Sequence, residues 1–271
     1  MKIFKDKHLL QKELIGEKSL SFVPTMGGLH KGHISLIKKA KNYKGKILVS
    51  IFINPKQFNN KNDFKNYPRN LKTDLSILKK LNIDIVYIPN ENDIFSFLPK
   101  KKVYIDKFSS KLCGKFRKGH FKGVLNVINR FLEIIKPKRL LLGLKDFQQL
   151  ILIKKHTKKR RIKVDIISCK TIREKNGIAC SSRNQKLDKK KIKIASKVHL
   201  FLNKKKRIIK KDLLNFSSYY LKKELMKLKV SKVDYVELYN LNTLKKPMSK
   251  KENFNLFVAY FLGNIRLIDN F

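Results

Sequence analysis

The chain has 271 residues, 42% of them hydrophobic, which is enough for a buried core in one large domain or two smaller ones. Three cysteines without C-x-x-C spacing argue against a disulfide framework or a zinc site. The N-terminus lacks a signal-peptide apolar region, and no run approaches the roughly 18 apolar residues of a membrane span, so a cytoplasmic protein without a membrane partner is expected. Lys+Arg 65 against Asp+Glu 20 gives a formal charge of +45, yet the basic residues are spread along the whole chain. With abundant Ile and Asn and no Trp, that spread fits the drift of an AT-rich coding sequence, the other reading being selected polyanion binding; no specific nucleic-acid partner is expected.

In chain order, a short amphipathic lead-in with helix near His8–Glu13 precedes an apolar strand, Leu20–Val23, that stops at Pro24. Gly27 and Gly28 then permit a turn with positive φ, and a helix follows with Ile34, Leu36, Ile37 and Ala40 as its buried side. Lys46–Asn54 is nearly all apolar and β-branched, as in a strand buried on both faces, and it runs straight into the turn Asn54–Phe58. Pro68 opens a helix with Leu71, Leu75, Leu78 and Leu81 at helical spacing, and Asp84–Ile88 is the next strand. Val103–Ile105 reads as a short strand. A helix carrying Val124, Val127, Ile128, Phe131 and Ile134 then runs to Pro137. Arg139–Gly143 is a buried strand, followed by a helix to about Lys158 and a strand from Val164 to Cys169.

This alternation predicts an α/β fold: a Rossmann-like, doubly wound parallel sheet over residues 1–176. Beyond it, lysine-rich helical patterns at Leu187–Phe201 and Asp212–Leu228 precede strands at Val233–Leu238 and Leu256–Leu262. A smaller C-terminal α+β domain over residues 177–271 is therefore expected, with Lys204–Lys211 as a solvated connector.

His30 and His33 fall on one side of the first turn of a helix, where unpaired N–H groups and the helix dipole favour a phosphate. Taken alone, H-x-G-H is a weak match, since paired histidines also occur in metal sites and ordinary turns. The polar clusters Thr25–His33, Asn54–Gln57, Gly143–Gln149 and Arg173–Arg183 nevertheless all lie just after strands. In an open parallel sheet that is the ligand-binding edge, so one shared cleft is expected.

The segment Pro24-Thr25-Met26-Gly27-Gly28-Leu29-His30-Lys31-Gly32-His33 resembles the P-T-M-G-x-L-H-x-G-H signature of pantothenate synthetases, a branch of the H-x-G-H nucleotidyltransferases. The resemblance recurs in order along most of the chain. Ser50–Phe58 is similar to V-S-I-F-V-N-P-x-Q-F, and Asp63 with Tyr67-Pro68-Arg69 to D-x-x-x-Y-P-R. Arg117–Val124 is similar to R-P-G-H-F-x-G-V, Gly143–Gln149 to G-E-K-D-x-Q-Q, and Arg173-Glu174 with Gly177–Asn184 to R-E…G-L-A-M-S-S-R-N.

The resemblance implies ATP-dependent condensation of pantoate with β-alanine through a pantoyl-adenylate, releasing AMP and pyrophosphate, in a homodimer. His30, His33, Lys145 and Arg183 are then the catalytic set. The ATP site comprises Met26, Gly27, Gly28, Leu29, His30, Lys31, Gly32, His33, Gly143, Leu144, Lys145, Asp146, Ile172, Cys180, Ser181, Ser182 and Arg183. Gln57, Gln149, Asn54 and His120 face the pantoate and β-alanine substrates, and Asp146 is a contributor to Mg²⁺ held on the phosphates. The second domain is expected to act as a lid. Plainer roles stand beside these: Asn54 and Tyr67 as turn and packing residues, His120 as a helix cap, Asp63 with Arg69 as an ion pair, Cys180 as a small buried hydrophobe. Leu144 and Cys180 depart from the family's glutamate and methionine without removing a group assigned to chemistry. A generic H-x-G-H nucleotidyltransferase, which would not need Gln57 and Gln149, is the alternative enzyme.

Overall fold

Short, strongly apolar segments become parallel strands in the computed structural model, which describes residues 1–59 and 61–271. The chain divides into two units, Met1–Thr171 and Ile172–Phe271. Among the described residues of the first unit, one sheet holds β1 (Lys2–Phe4), β2 (Ser21–Thr25), β3 (Ile47–Ile51), β4 (Ile85–Tyr87), β5 (Arg139–Gly143) and β6 (Asp165–Cys169). Their spatial order is β1-β4-β3-β2-β5-β6, with every neighbouring pair parallel. All five residues of β3 are buried, which is why its sequence does not alternate.

Helices make the crossovers: α1 (Lys7–Glu13), α2 (Lys31–Ala40), α3 (Lys61–Lys65), α4 (Leu71–Lys80), α5 (Glu91–Phe95), α6 (Leu112–Phe116), α7 (His120–Ile135) and α8 (Phe147–Lys159). Leu36, Ile37 and Ala40 of α2 are buried, as are Val124, Val127, Ile128, Phe131 and Ile134 of α7. Phe131 packs edge-on against Phe22 of β2, with ring centroids 5.4 Å apart, and so fixes α7 to the centre of the sheet.

The order of strands reverses between β2 and β5, and this is where an open α/β sheet forms a crevice. The pairing here is also incomplete. Ser21 pairs with Arg139 and Phe22 with Leu140, after which the register stops, although both strands continue for three more residues. Pro24, without an N–H to donate, lies in the part of β2 that β5 does not pair, while Ser50 of β3 still pairs with it on the other edge. The segments leaving β2 and β5, Met26–His30 and Leu144–Asp146, therefore flank the switch point.

The second unit opens with a short hairpin closed by an Arg173–Ala179 bridge. It continues through α9 (Lys189–Lys211) and α10 (Ser218–Lys227) into an antiparallel sheet, β7 (Lys232–Asn240), β8 (Phe254–Leu262) and β9 (Ile265–Asn270). Ala195, Val198, Leu202 and Ile209 of α9 are buried in this unit's core.

Three expectations are corrected. Lys204–Lys211 is not a connector but the last third of α9, because Ile209 continues the buried stripe seven residues after Leu202. Val103–Ile105 forms no strand; the Tyr104 N–H donates instead to Nδ1 of His156, at 3.1 Å. The two edge strands β1 and β9 were not expected at all. No helix among the described residues is long and apolar enough to cross a membrane.

Candidate active site

The turn after β2 is built around a buried carboxylate. Gly27 and Gly28 have φ of +76° and +61°, a conformation open to glycine at little cost. The exposed N–H groups this creates do not go to solvent. Gly28 donates to Oδ2 of Asp74 at 2.9 Å and Leu29 to Oδ1 at 2.8 Å, while Asp74 itself is only 2% exposed. A Cβ on Gly27 would lie 3.0 Å from Asp74 Oδ2, so the carboxylate also fixes the space around the turn. Thr25 completes it, donating from Oγ1 to the Ser50 carbonyl at 2.7 Å and accepting from Gly27 N–H at 3.2 Å.

Asp74 was not among the residues singled out from the sequence. A signal was present: it lies four residues before Leu78, on the side of α4 that is buried, where a carboxylate needs partners. Leu71, read as part of that stripe, is 42% exposed.

His30 is the N-cap of α2, its Nδ1 accepting from the Gly32 N–H at 3.1 Å. That bond leaves the proton of the neutral ring on Nε2. His33 stacks on it, with ring centroids 4.0 Å apart and planes 31° from parallel. Part of His33 reaches the surface, but its Nδ1 is inaccessible and has no hydrogen-bond partner among the described residues. Burial above all, then the neighbouring His30 and Lys145, holds His33 well below the usual histidine range. The pairing of β2 with β5 brings the segment after β5 beside the segment after β2, and Lys145 acts on His33 across that gap. Lys145 is itself largely buried, with its Nζ 3.7 Å from Oδ1 of the half-exposed Asp146.

The third segment, after β3, is held from below. Asn54 caps the single 3₁₀ turn Pro55–Gln57, accepting from Lys56 N–H at 3.1 Å, and donates to the Gly123 carbonyl at 3.1 Å and to Gln57 Oε1 at 3.5 Å. His120 is the first residue of α7 rather than its cap, which is Gly119. Its Nδ1 is 2.7 Å from the Gln57 carbonyl, which can only accept, so Nδ1 carries the proton and Nε2 accepts from Arg117 at 3.0 Å. Arg117 also donates to the same carbonyl at 3.2 Å. Asn54 and His120 thus brace Gln57, whose own amide donates to Met26 Sδ. Gly123 makes this possible, since a Cβ there would lie 2.2 Å from the Lys56 carbonyl oxygen.

The two glutamines that begin α8 differ in kind. Gln148 belongs to the scaffold: it is buried, donates to the carbonyls of Phe108 and Lys111 and accepts from Cys113 N–H. Gln149, the residue expected at the substrate, is half-buried. Tyr67 packs against Phe58, ring centroids 5.5 Å apart, and Arg69 donates to the Phe64 carbonyl. Leu144 lies in the 3₁₀ turn with Lys145 and Asp146, and Lys31 is exposed at the start of α2.

The remaining expected residues are in the second unit. Cys180 N–H donates to the Ile172 carbonyl at 2.9 Å, and the buried Cys180 thiol donates to Oε1 of Glu174 at 3.2 Å. Ser181 caps the following 3₁₀ turn by accepting from Arg183 N–H at 3.3 Å, and Ser182 is buried. No group of three or more metal-capable side chains occurs among the described residues.

Comparison with known proteins gives a consistent result. The model of the pantoate-beta-alanine ligase family matches residues 2–271. The chain is 40% identical to the pantothenate synthetase of Francisella tularensis subsp. mediasiatica, over 98% of this chain and 94% of that one. It is 41% identical to that of Ruthia magnifica subsp. Calyptogena magnifica, over 93% and 90%. A crystal structure of pantoate-beta-alanine ligase from Francisella tularensis, complexed with beta-gamma ATP and beta-alanine, superposes with a TM-score of 0.83 at 35% identity, covering 100% of this chain and 97% of that one. The pantothenate synthetase of Thermus thermophilus gives 0.89 at 28% identity, covering 100% and 99%.

Proposed function

The chain belongs to the pantoate-beta-alanine ligase family of amide-forming ligases, and from that premise we propose that it joins pantoate to β-alanine through a pantoyl-adenylate. The observation that carries this reading is the convergence of three strand-end segments at the switch point. One is suited to phosphates, one bears a cation, and one presents a braced amide.

A carboxylate is a poor electrophile, so ATP must first activate it. A pantoate carboxylate oxygen attacks the α-phosphorus and pyrophosphate leaves, which moves negative charge toward the β- and γ-phosphates. Catalysis of such a displacement is mainly positioning and electrostatic stabilisation. Neutral His30 donates from Nε2, and His33, held neutral by burial, offers an N–H without a competing charge. Lys145 supplies full positive charge, and Ser181, Ser182 and Arg183 add further donors to the phosphates. Mg²⁺ would neutralise phosphate charge; the half-exposed carboxylate of Asp146 fits an ion held chiefly by ATP and water rather than by a protein cage.

Gln57 and Gln149 orient pantoate, since amides both donate and accept and the substrate carries hydroxyls as well as a carboxylate. Asn54 and His120 act through Gln57. In the second step the β-alanine amine attacks the activated carbonyl and AMP departs, an outcome that depends on excluding water. A lid role for the second unit and assembly as a homodimer belong to the same proposal.

The test is pyrophosphate release with ATP, Mg²⁺ and pantoate, with and without β-alanine. Sustained turnover dependent on both substrates, and lost in His33→Ala, supports the reading. Release that ignores pantoate, from well-folded protein, favours the generic nucleotidyltransferase.

A further inference from the structure

One side chain in the second unit makes more directed contacts than any role above uses. Arg173 lies in the short hairpin that leads into Ser181–Arg183. Its guanidinium donates from Nη1 to Oδ2 of Asp269 at 2.6 Å and from Nη2 to Oδ1 at 2.9 Å, a bidentate pair. Further donations reach the Asn270 carbonyl at 3.2 Å and the Gly177 carbonyl at 3.0 Å. Nη1 also lies 3.3 Å from Nδ1 of His199, a third neighbour around its two hydrogens, so this contact at most shares a proton with the shorter bonds. The group therefore joins three separate elements: β9, the hairpin turn and α9.

Those contacts continue into the loop. Arg173 pairs with Ala179 across the hairpin, and the Ala179 carbonyl accepts from the Asn184 side chain at 3.1 Å, closing the 3₁₀ turn that Ser181 caps. Gly177, at φ +84°, lets the turn sit directly on His199, since a Cβ there would be 2.1 Å from the ring.

We infer that Arg173, clamped by Asp269, is a positioning residue that sets the shape of the Ser181–Arg183 loop and hence its grip on the β- and γ-phosphates of ATP. This deepens the proposed function and rests on its assignment of that loop to the phosphates. Loss of the bidentate pair frees the hairpin from β9 and blurs the loop donors that the proposed function assigns to the β- and γ-phosphates, which AMP lacks.

A matched control exists in the same sheet. Arg266 donates to the buried Asp234 at 2.8 Å, an ion pair that ties β9 to β7 without involving the hairpin. Equilibrium binding of fluorescent ATP and AMP analogues is measured for the intact protein, Asp269→Asn, Arg173→Lys and Asp234→Asn, with melting temperatures alongside. Asp269→Asn and Arg173→Lys should weaken the ATP analogue about tenfold and the AMP analogue by less than about twofold. Asp234→Asn should lower the melting temperature comparably and leave the ATP-to-AMP ratio unchanged. An equal loss for ATP and AMP, or the same change of ratio in Asp234→Asn, would make Arg173 merely structural and overturn the inference. So would failure of the intact protein to prefer ATP over AMP. If the ratio shifts as expected but pantoate-dependent turnover is absent, the positioning role stands and the ligase reading fails.

Discussion

His30 and His33 stack with their ring centroids 4.0 Å apart, too close for both rings to carry a positive charge without repulsion. His30 accepts at Nδ1 from the backbone, and a charged His33 beside it would also face Lys145. His33 is therefore neutral at pH 7, supplying a hydrogen-bond donor without repelling the lysine. In an NMR pH titration, His33 should hold its neutral-ring shifts well below the usual histidine midpoint near 6.5. Titration of His33 at about 6.5 would contradict the assignment.

Asp74→Asn keeps the shape of the side chain and removes one of two acceptors facing Gly28 and Leu29. An amide NH₂ would then meet a backbone N–H in a buried setting, at a cost of about 1–3 kcal/mol. The variant should melt at lower temperature in denaturation scans. It should also lose pyrophosphate-forming activity more than tenfold, since the turn it pins leads into His30 and His33. Unchanged activity would mean that the glycine turn keeps its shape without the carboxylate.

Gly123→Ala tests the brace beneath Gln57. A methyl group 2.2 Å from the Lys56 carbonyl must push α7 away from the Asn54–Gln57 turn, costing about 1–3 kcal/mol by overpacking. Steady-state kinetics should then record a raised KM for pantoate, with the KM for ATP much less affected. Gln57→Ala should do the same. An effect on ATP alone would remove Gln57 from the pantoate site.

Acid sensitivity should come partly from His156, which is fully buried. It accepts from Tyr104 N–H at Nδ1, and its Nε2 lies 3.1 Å from Asn129 Oδ1. Burial, helped by Arg160, pushes it down to about 4. The unfolded chain binds this proton near pH 6.5 and the folded chain does not, so the contribution to stability is complete above about 6.5 and is lost as pH falls toward 4. Melting temperature should fall across that window, and His156→Gln should make the dependence shallower. An unaltered slope in the variant would place the acid sensitivity elsewhere.

The sequence displays the sheet more clearly than the site. Runs such as Ile47–Ile51 are apolar because both faces of β3 are covered, so periodicity alone identifies them. The edge strand β1 is three residues long and half exposed, and β9 has buried only Leu267 and Asn270, so neither leaves such a trace. Within the site, the glycines and histidines after β2 announce themselves by type and place. Asp74 does not, because its partners are 45 and 46 residues away in sequence and only folding brings them together. Likewise nothing local distinguishes Gln148 from Gln149. It is the segment Phe108–Cys113, running into α6, that makes the first a structural residue by bonding its amide.

The most direct test of the adenylate path follows oxygen from pantoate labelled with ¹⁸O in its carboxylate. Attack of that carboxylate on the α-phosphorus leaves one of its oxygens on AMP when β-alanine displaces the nucleotide. Mass spectrometry of the AMP formed should find one labelled oxygen per turnover. Unlabelled AMP, or label in orthophosphate, would contradict the pantoyl-adenylate and with it the role of the strand-end cluster in activating pantoate.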